Sequence, residues 1–235
     1  MKKIGIALLV LVVAIAGALY WLRGNMDSLV KDAIEKYGSE MTKASVKVAA
    51  VEIKPADGRG VIRGLTIGNP AGFKTAHALQ VAEIEVNIDI ASIAGSVVTI
   101  RKIGIAAPDI IYEKGEAMTN FDALQKNVAD YVGPAEKKDS GGKKLIVEEL
   151  LIHDAKAQAS AAFMDGKTVT LGLPNIALRD IGKAKGGVTP GELGQEIIKA
   201  LKQKLSASVS FDSLMKSTGK GLDKAGSAIK GLFAK

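Results

Sequence analysis

Between residues 44 and 90 the sequence keeps an every-other-residue aliphatic pattern, and twice that pattern slips by one place. Val46, Val48, Val51 and Ile53 make the first run, and Val61, Ile62, Leu65 and Ile67 the second. Leu79, Val81, Ile84, Val86, Ile88 and Ile90 make the third. A period of two belongs to strands with one buried face. The slips fall between Val48 and Val51 and between Val81 and Ile84. An uncorrected slip would send every following side chain to the wrong face, whereas a β-bulge restores the phase and bends the strand. The chain is thereby constrained to a curved, twisted sheet with one aliphatic face. Pro55-Ala56-Asp57-Gly58 and Gly68-Asn69-Pro70-Ala71-Gly72 are the turns between runs.

An internal repeat extends the pattern. Val98, Ile100, Ile103 and Ile105 recur as Leu145, Val147, Leu150 and Ile152, 47 residues further on. Each copy leads into a second alternating stretch, Ile110 to Tyr112 and Ala155 to Phe163, so each predicts a strand, a bend and a returning strand. Helices punctuate the sheet. Asn120 can cap a segment with Phe121, Leu124, Val128 and Tyr131 on one side. Residues 133–144 read as a polar linker or loop tip. Thr168 to Ile181 returns to strand patterning. Thr189-Pro190-Gly191-Glu192 is a capping box with proline at the first helical position, followed by a stripe of Leu193, Ile197, Ile198, Leu201 and Leu205.

Ile4 to Leu22 is a run of nineteen residues without a charge. As a helix it would measure ~28 Å, against ~30 Å of bilayer hydrocarbon. Ile4, Leu8, Val12, Ile15, Leu19, Tyr20, Trp21 and Leu22 mark the expected span, with Lys2 and Lys3 before it and Arg23 after it. Tyr20 and Trp21 stand where an aromatic belt would lie. The rival reading is a cleaved signal peptide ending at the small-x-small triplet Ala16-Gly17-Ala18. The run is longer than the ~7–15 apolar residues of a signal segment. The retained reading predicts a single-pass inner-membrane protein whose bulk lies in the periplasm. Met26, Leu29, Val30, Ala33, Ile34 and Tyr37 continue at helical spacing, and Gly38 reads as the residue that ends that helix.

Charge and composition narrow the partners. Of the 235 residues 47% are hydrophobic but only 4% aromatic, so the apolar content is aliphatic. A nucleic-acid binder would set aromatic stacking platforms beside its basic residues, and this class is excluded. The net charge is +7, and residues 183–235 hold ten lysines against Glu192, Glu196, Asp212 and Asp223. Such a local excess suits anionic lipid head groups or an acidic protein surface, or serves solubility alone. Leu222, Ala225, Ile229, Leu232 and Phe233 recur at helical spacing among these lysines. The absence of cysteine removes disulfides, thiol nucleophiles and thiolate metal sites.

The usual chemistry is missing. His77 and His153 are the only histidines. His153 stands beside Asp154, but no nucleophile motif accompanies the pair, and both histidines read as structural or surface residues. No metalloprotease, EF-hand or P-loop spacing is present. Glu83/Glu85 and Glu148/Glu149 read as the solvated side of strands. No cofactor, metal ligand or catalytic residue is expected, and the chain reads as non-enzymatic.

Several stretches together resemble the AsmA-like proteins of the Gram-negative envelope. They are the apolar N-terminal run, KYGSEMTKASVKVAAVEI, GRGVIRGLTIGNPAGF, IDIASIAGSVVTIRKIGIAAPDIIYE, NFDALQKNV, LIVEELLIHDAKAQAS and VTLGLPNIALRDIG. The likeness covers roughly residues 1 to 205 and lies in order and spacing. It implies an inner-membrane anchor, a periplasmic curved sheet and a part in envelope lipid handling or outer-membrane biogenesis.

The expected fold is then α+β. An N-terminal transmembrane helix leads a curved, bulged, mainly antiparallel β-sheet, half-barrel or groove-like, with a few flanking helices. The expected divisions are an anchor (1–25), an amphipathic connecting helix (26–43), a β-rich periplasmic domain (44–205) and a basic amphipathic tail (206–235). The candidate apolar sheet face is Val81, Ile84, Val86, Ile88, Ile100, Ile103, Ile105, Val147, Leu150 and Ile152. It would either hold phospholipid acyl chains or be capped as a core by the helices at 120–132 and 190–205. Candidate partners are the inner membrane, acyl chains and, through the basic tail, envelope proteins. The alternatives are a scaffold subunit of an envelope complex and a water-stress-type β-sandwich, which would show two packed sheets.

Overall fold

The computed structural model describes residues 26–133, 142–212 and 215. Its helices are α1 (Met26–Thr42), α2 (Asn120–Val132) and α3 (Pro190–Ser208). The strands are β1 (Val46–Lys47), β2 (Ala50–Lys54), β3 (Arg59–Ile67), β4 (Leu79–Ile88), β5 (Val97–Ala106), β6 (Asp109–Lys114), β7 (Lys144–His153), β8 (Lys156–Ala161), β9 (Val169–Leu171) and β10 (Ile176–Ile181). All ten join one sheet, so the two packed sheets of the β-sandwich alternative are not found among the described residues.

Short breaks divide long runs, and the sheet is simplest as six of them in spatial order: β1–β2, β3, β4, β5–β6, β7–β8 and β9–β10. Neighbours are antiparallel except β5–β6 beside β7–β8, which are parallel. The expected mainly antiparallel sheet is thus corrected to a mixed one. The repeat is the reason. Val98 pairs with Leu145, Ile103 with Leu150 and Asp109 with Lys156, so the 47-residue spacing is itself the parallel register. Parallel neighbours need a crossover of a dozen or more residues, and α2 lies in that connection. The second strand of each copy does not return, either. β6 carries on past the bend to pair with the start of β4 and with β8.

The breaks share one level. The chain bends at Ala107 and at Asp154, each with positive φ (45° and 56°). Ala107 and Asp154 follow the paired residues Ala106 and His153, and Ala82, between Val81 and Glu83, faces Gly64 (φ 62°). Ala49 closes the line, its N–H donating to Arg63 O at 3.0 Å. Both slips read from the sequence, at Ala49 and at Ala82, fall on this line.

α1 has a use that its apolar stripe does not show. Asp27, Lys31, Glu35 and Ser39 are spaced by four, one row along the helix. Glu35 Oε1 accepts from Val48 N–H (2.8 Å), Ser39 Oγ from Val46 N–H (3.0 Å) and Asp27 Oδ1 from Ile53 N–H (3.1 Å). Three outer amides of the β1–β2 edge are thereby satisfied, and occupying such amides is how an edge is kept from pairing with another chain. The helix runs through Gly38 to Thr42, so Gly38 does not end it. Gly38 faces β1 instead, where a Cβ would lie 3.1 Å from Val46 Cγ1. The N-cap of α2 is Thr119 in place of Asn120, because only Thr119 has an acid, Asp122, three residues on to complete a capping box.

Among the described residues no helix is long and apolar enough to cross a membrane. Each of α1, α2 and α3 carries charged side chains along its length and packs on the sheet or on another helix. The expected span, Ile4 to Leu22, lies outside the described residues. The fold class led by a transmembrane helix, and the single-pass inner-membrane placement drawn from it, are corrected on that ground to an α+β domain with a mixed sheet and, among the described residues, three α-helices.

Three substitutions test this account. Glu35→Ala strands the Val48 amide and is expected to lower stability in urea by about 1–2 kcal/mol. Lys31→Ala, which removes only an exposed 3.4 Å contact to Ala49 O, should cost less than about 0.5 kcal/mol. Equal losses would mean that the row does not seal the edge. Gly64→Ala puts a Cβ 2.7 Å from Ala49 Cβ at positive φ; a loss of about 2 kcal/mol is expected, and a neutral result would show that the bend does not need glycine there.

Candidate functional site

The aliphatic face is built in rows that cross the whole sheet. Val51, Ile62, Ile84, Ile105, Ile152 and Ile176 are successive cross-strand partners on six runs. Val86, Ile103, Leu150 and Leu178 form a second row. Ile88, Ile100, Val147 and Ile181 form a third. The third row stays on the same face because β5, β7 and β10 change phase together, each with two polar residues between apolar ones: Arg101-Lys102, Glu148-Glu149 and Arg179-Asp180.

Nine of the ten residues expected on this face lie in the main core cluster or against it, and the tenth, Val81, is buried outside its named members. Val147 and Leu150 are 0% exposed and Ile100 1%; Ile84 and Ile105 are partly buried. What covers the face is helix. Phe121, Leu124, Leu193, Leu201 and Leu205 belong to the same cluster as Ile100 and Leu150. Burying side chains of this size is worth about 1.5–3 kcal/mol each, so the covering is a core and not a loose lid. The open groove of the expected fold is therefore corrected: the face is filled by α2 and α3.

α2 and α3 are clamped together. Asp122, whose side chain closes the N-terminus of α2, meets Lys202 Nζ of α3 at 2.8 Å. Lys202 also donates to Gln125 Oε1 at 2.9 Å. At the other end a Cβ on Gly191 would fall 2.3 Å from Val132 Cγ2, so glycine lets α3 approach α2 closely. α3 opens with the capping box read from the sequence, Thr189 and Glu192 with Pro190. Phe211, beyond α3, reaches Tyr112 at 5.5 Å between ring centres. The expected tail at 206–235 otherwise lies largely outside the described residues.

The outer face carries the charges. Arg59 bonds Glu85 at 2.6 Å, and Arg63 reaches Glu52 at 3.1 Å and Glu83 at 3.2 Å. The Arg59 guanidinium holds the Glu85 carboxyl below the usual carboxylate range. These pairs are about 40% exposed, where such bridges contribute little individually.

A buried polar cluster escaped the sequence reading. Glu113 is 1% exposed, and its carboxylate accepts from the amides of Lys74 (2.8 Å) and Thr75 (2.9 Å) and from the Thr75 hydroxyl (2.6 Å). Asn120, also buried, accepts from Glu113 N–H and donates to Asn69 Oδ1 and Ile111 O. The cluster pins the Gly68–Gly72 turn segment to β6. Its one sequence signal is a turn-rich segment with amides to satisfy. His77 is buried beside it, Nε2 lying 3.9 Å from Asp109 Oδ1.

His153 and Asp154 do meet, Nδ1 to Oδ2 at 2.8 Å, but both are exposed at the bend, and Asp154 N–H donates to Asn175 Oδ1. Among the described residues no group of three acidic or histidine side chains is placed to hold a metal ion. A cleft of about 280 Å³ lies along β10, lined by Leu178, Ile181, Val188 and Glu196 among others.

The clamp sets an acid limit. Burial raises the Asp122 pKa, but Lys202 and Thr119 outweigh it and leave the carboxyl below its usual value. Its stabilising contribution is complete above the unfolded-state pKa of about 4 and is lost as pH falls through the lower folded-state value. In urea melts from pH 7 to pH 3, the native chain's advantage over Asp122→Asn is expected to hold until about pH 4 and then shrink. A pH-independent difference would rule the clamp out. No family model matches this chain, and no curated protein matches it.

Proposed function

We propose that the chain is a non-enzymatic scaffold of the AsmA-like type, a subunit that serves a cell-envelope assembly through the surfaces it presents. One observation carries this reading: α2 and α3 fill the aliphatic sheet face that an acyl-chain carrier would keep open. Among the described residues the polar clusters are structural. Glu113 and Asn120 anchor a turn, Asp122 and Lys202 join two helices, and the outer face is laced with ion pairs. Support for the AsmA-like type is the order and spacing of the stretches from KYGSEM to LRDIG.

Lipid handling on the sheet is the competing use of such a face. It would require α2 and α3 to leave, exposing side chains such as Leu150 and Leu193, both 0% exposed. The two uses separate in one measurement. The full chain, purified without detergent from cells, is extracted and its lipids are quantified by mass spectrometry. The scaffold reading expects far less than one lipid per chain. A stoichiometric phospholipid that is lost when α2 is cross-linked to α3 would overturn it in favour of a carrier.

A further inference from the structure

The two edges of the sheet are treated differently. At β1–β2 the side chains of Asp27, Glu35 and Ser39 take up three outward amides. At β10 the sheet path ends, and no described strand pairs on its outer side. The aliphatic rows stop there unfinished. Leu178 ends the row of Ile103 and Leu150, and Ile181 the row of Ile100 and Val147, yet both are only partly buried where their row-mates are buried. The cleft along β10, lined by Leu178, Ile181 and Val188 among others, leaves space beside this edge.

The polar side of the edge says what that strand is. Lys102, Glu149 and Arg179 alternate in sign across β5, β7 and β10, and Arg179 reaches Glu149 at 3.2 Å. An acid is needed next. The segment Leu178-Arg179-Asp180-Ile181 supplies it when it meets itself antiparallel. A two-fold axis between Arg179 and Asp180 sets each arginine against the other copy's aspartate, and each Leu178 against the other copy's Ile181. Directly opposed residues share a face, so the apolar pairs would lie on the core side and the ion pairs outside. Asp180 has positive φ (53°), but its register with β7 continues on both sides, Arg179 with Glu149 and Ile181 with Val147. The kink is what puts Leu178 and Ile181 on one face. Arg179 and Asp180 side chains are 74% and 56% exposed, free to turn from Glu149 and Lys183 toward a second chain.

We infer that the β10 edge pairs with the β10 edge of a second copy of this chain, antiparallel about that axis, joining two sheets into one. The pairing stands on the edge geometry and is independent of the scaffold reading. Light scattering on the full chain across a concentration series is expected to show a two-chain mass. Arg179→Glu sets acid against acid at both ion pairs and should raise the dissociation constant at least tenfold. Asp180→Asn keeps a residue that tolerates the left-handed backbone and should weaken pairing less. The chain has no cysteine, so Arg179→Cys can form a disulfide only between copies. It should cross-link under oxidation, whereas Lys54→Cys, on the sealed edge, should not. Circular dichroism checks that each variant is folded. A single-chain mass at every concentration overturns the inference. So does a two-chain mass that Arg179→Glu leaves unchanged, or equal cross-linking from both cysteines.

Discussion

The structure depends on keeping one aliphatic face through a common change of phase. A strand that bends must gain or lose a residue on one side, and a neighbour that does not bend with it loses register. Here the neighbours bend together. Ala49, Gly64, Ala82, Ala107 and Asp154 lie at one level, and three of them have positive φ. Small residues suit that level because backbones crowd there; a Cβ at Gly64 would clash with Ala49 at 2.7 Å. With the bend shared, Val51 through Ile176 remain cross-strand neighbours over six runs. Without it the helices would meet no continuous surface.

The parallel pairing follows from the same constraint. A repeated strand can lie parallel to its copy only if its bulges and bends recur at the same spacing. The copies at Val98 and Leu145 satisfy this residue by residue. The crossover they require puts α2 over the face the copies share, and α3 locks onto α2 through Lys202. The layer of helices is thus a consequence of the parallel register. It is also what removes the groove.

Much of this was legible in the sequence because it is local. The slips at Ala49 and Ala82, the repeat and the Thr189 capping box each follow from spacing alone, and each is present. What was missed depends on partners distant in sequence. Asp27, Glu35 and Ser39 look like an ordinary solvated row until the edge amides of Val46, Val48 and Ile53 stand opposite them. Gly38 looks like a helix end until Val46 needs room beside it. Glu113 gives no periodic signal, since a carboxylate buried against two amides obeys the geometry of a turn thirty-eight residues away. Thr119 is a different kind of miss: the acid at Asp122 distinguished it from Asn120, and that clue was local.

These features also decide where interaction can occur. A filled core leaves a domain its outer face and its edges. The outer face is already laced with exposed ion pairs of both signs, which contribute little and discriminate poorly between partners. One edge has three of its amides taken by α1. The other has no described strand on its outer side, and it carries two partly buried aliphatic side chains and a cleft beside them. Backbone pairing supplies affinity at such an edge and side-chain pockets supply specificity. In this fold both are found together at β10.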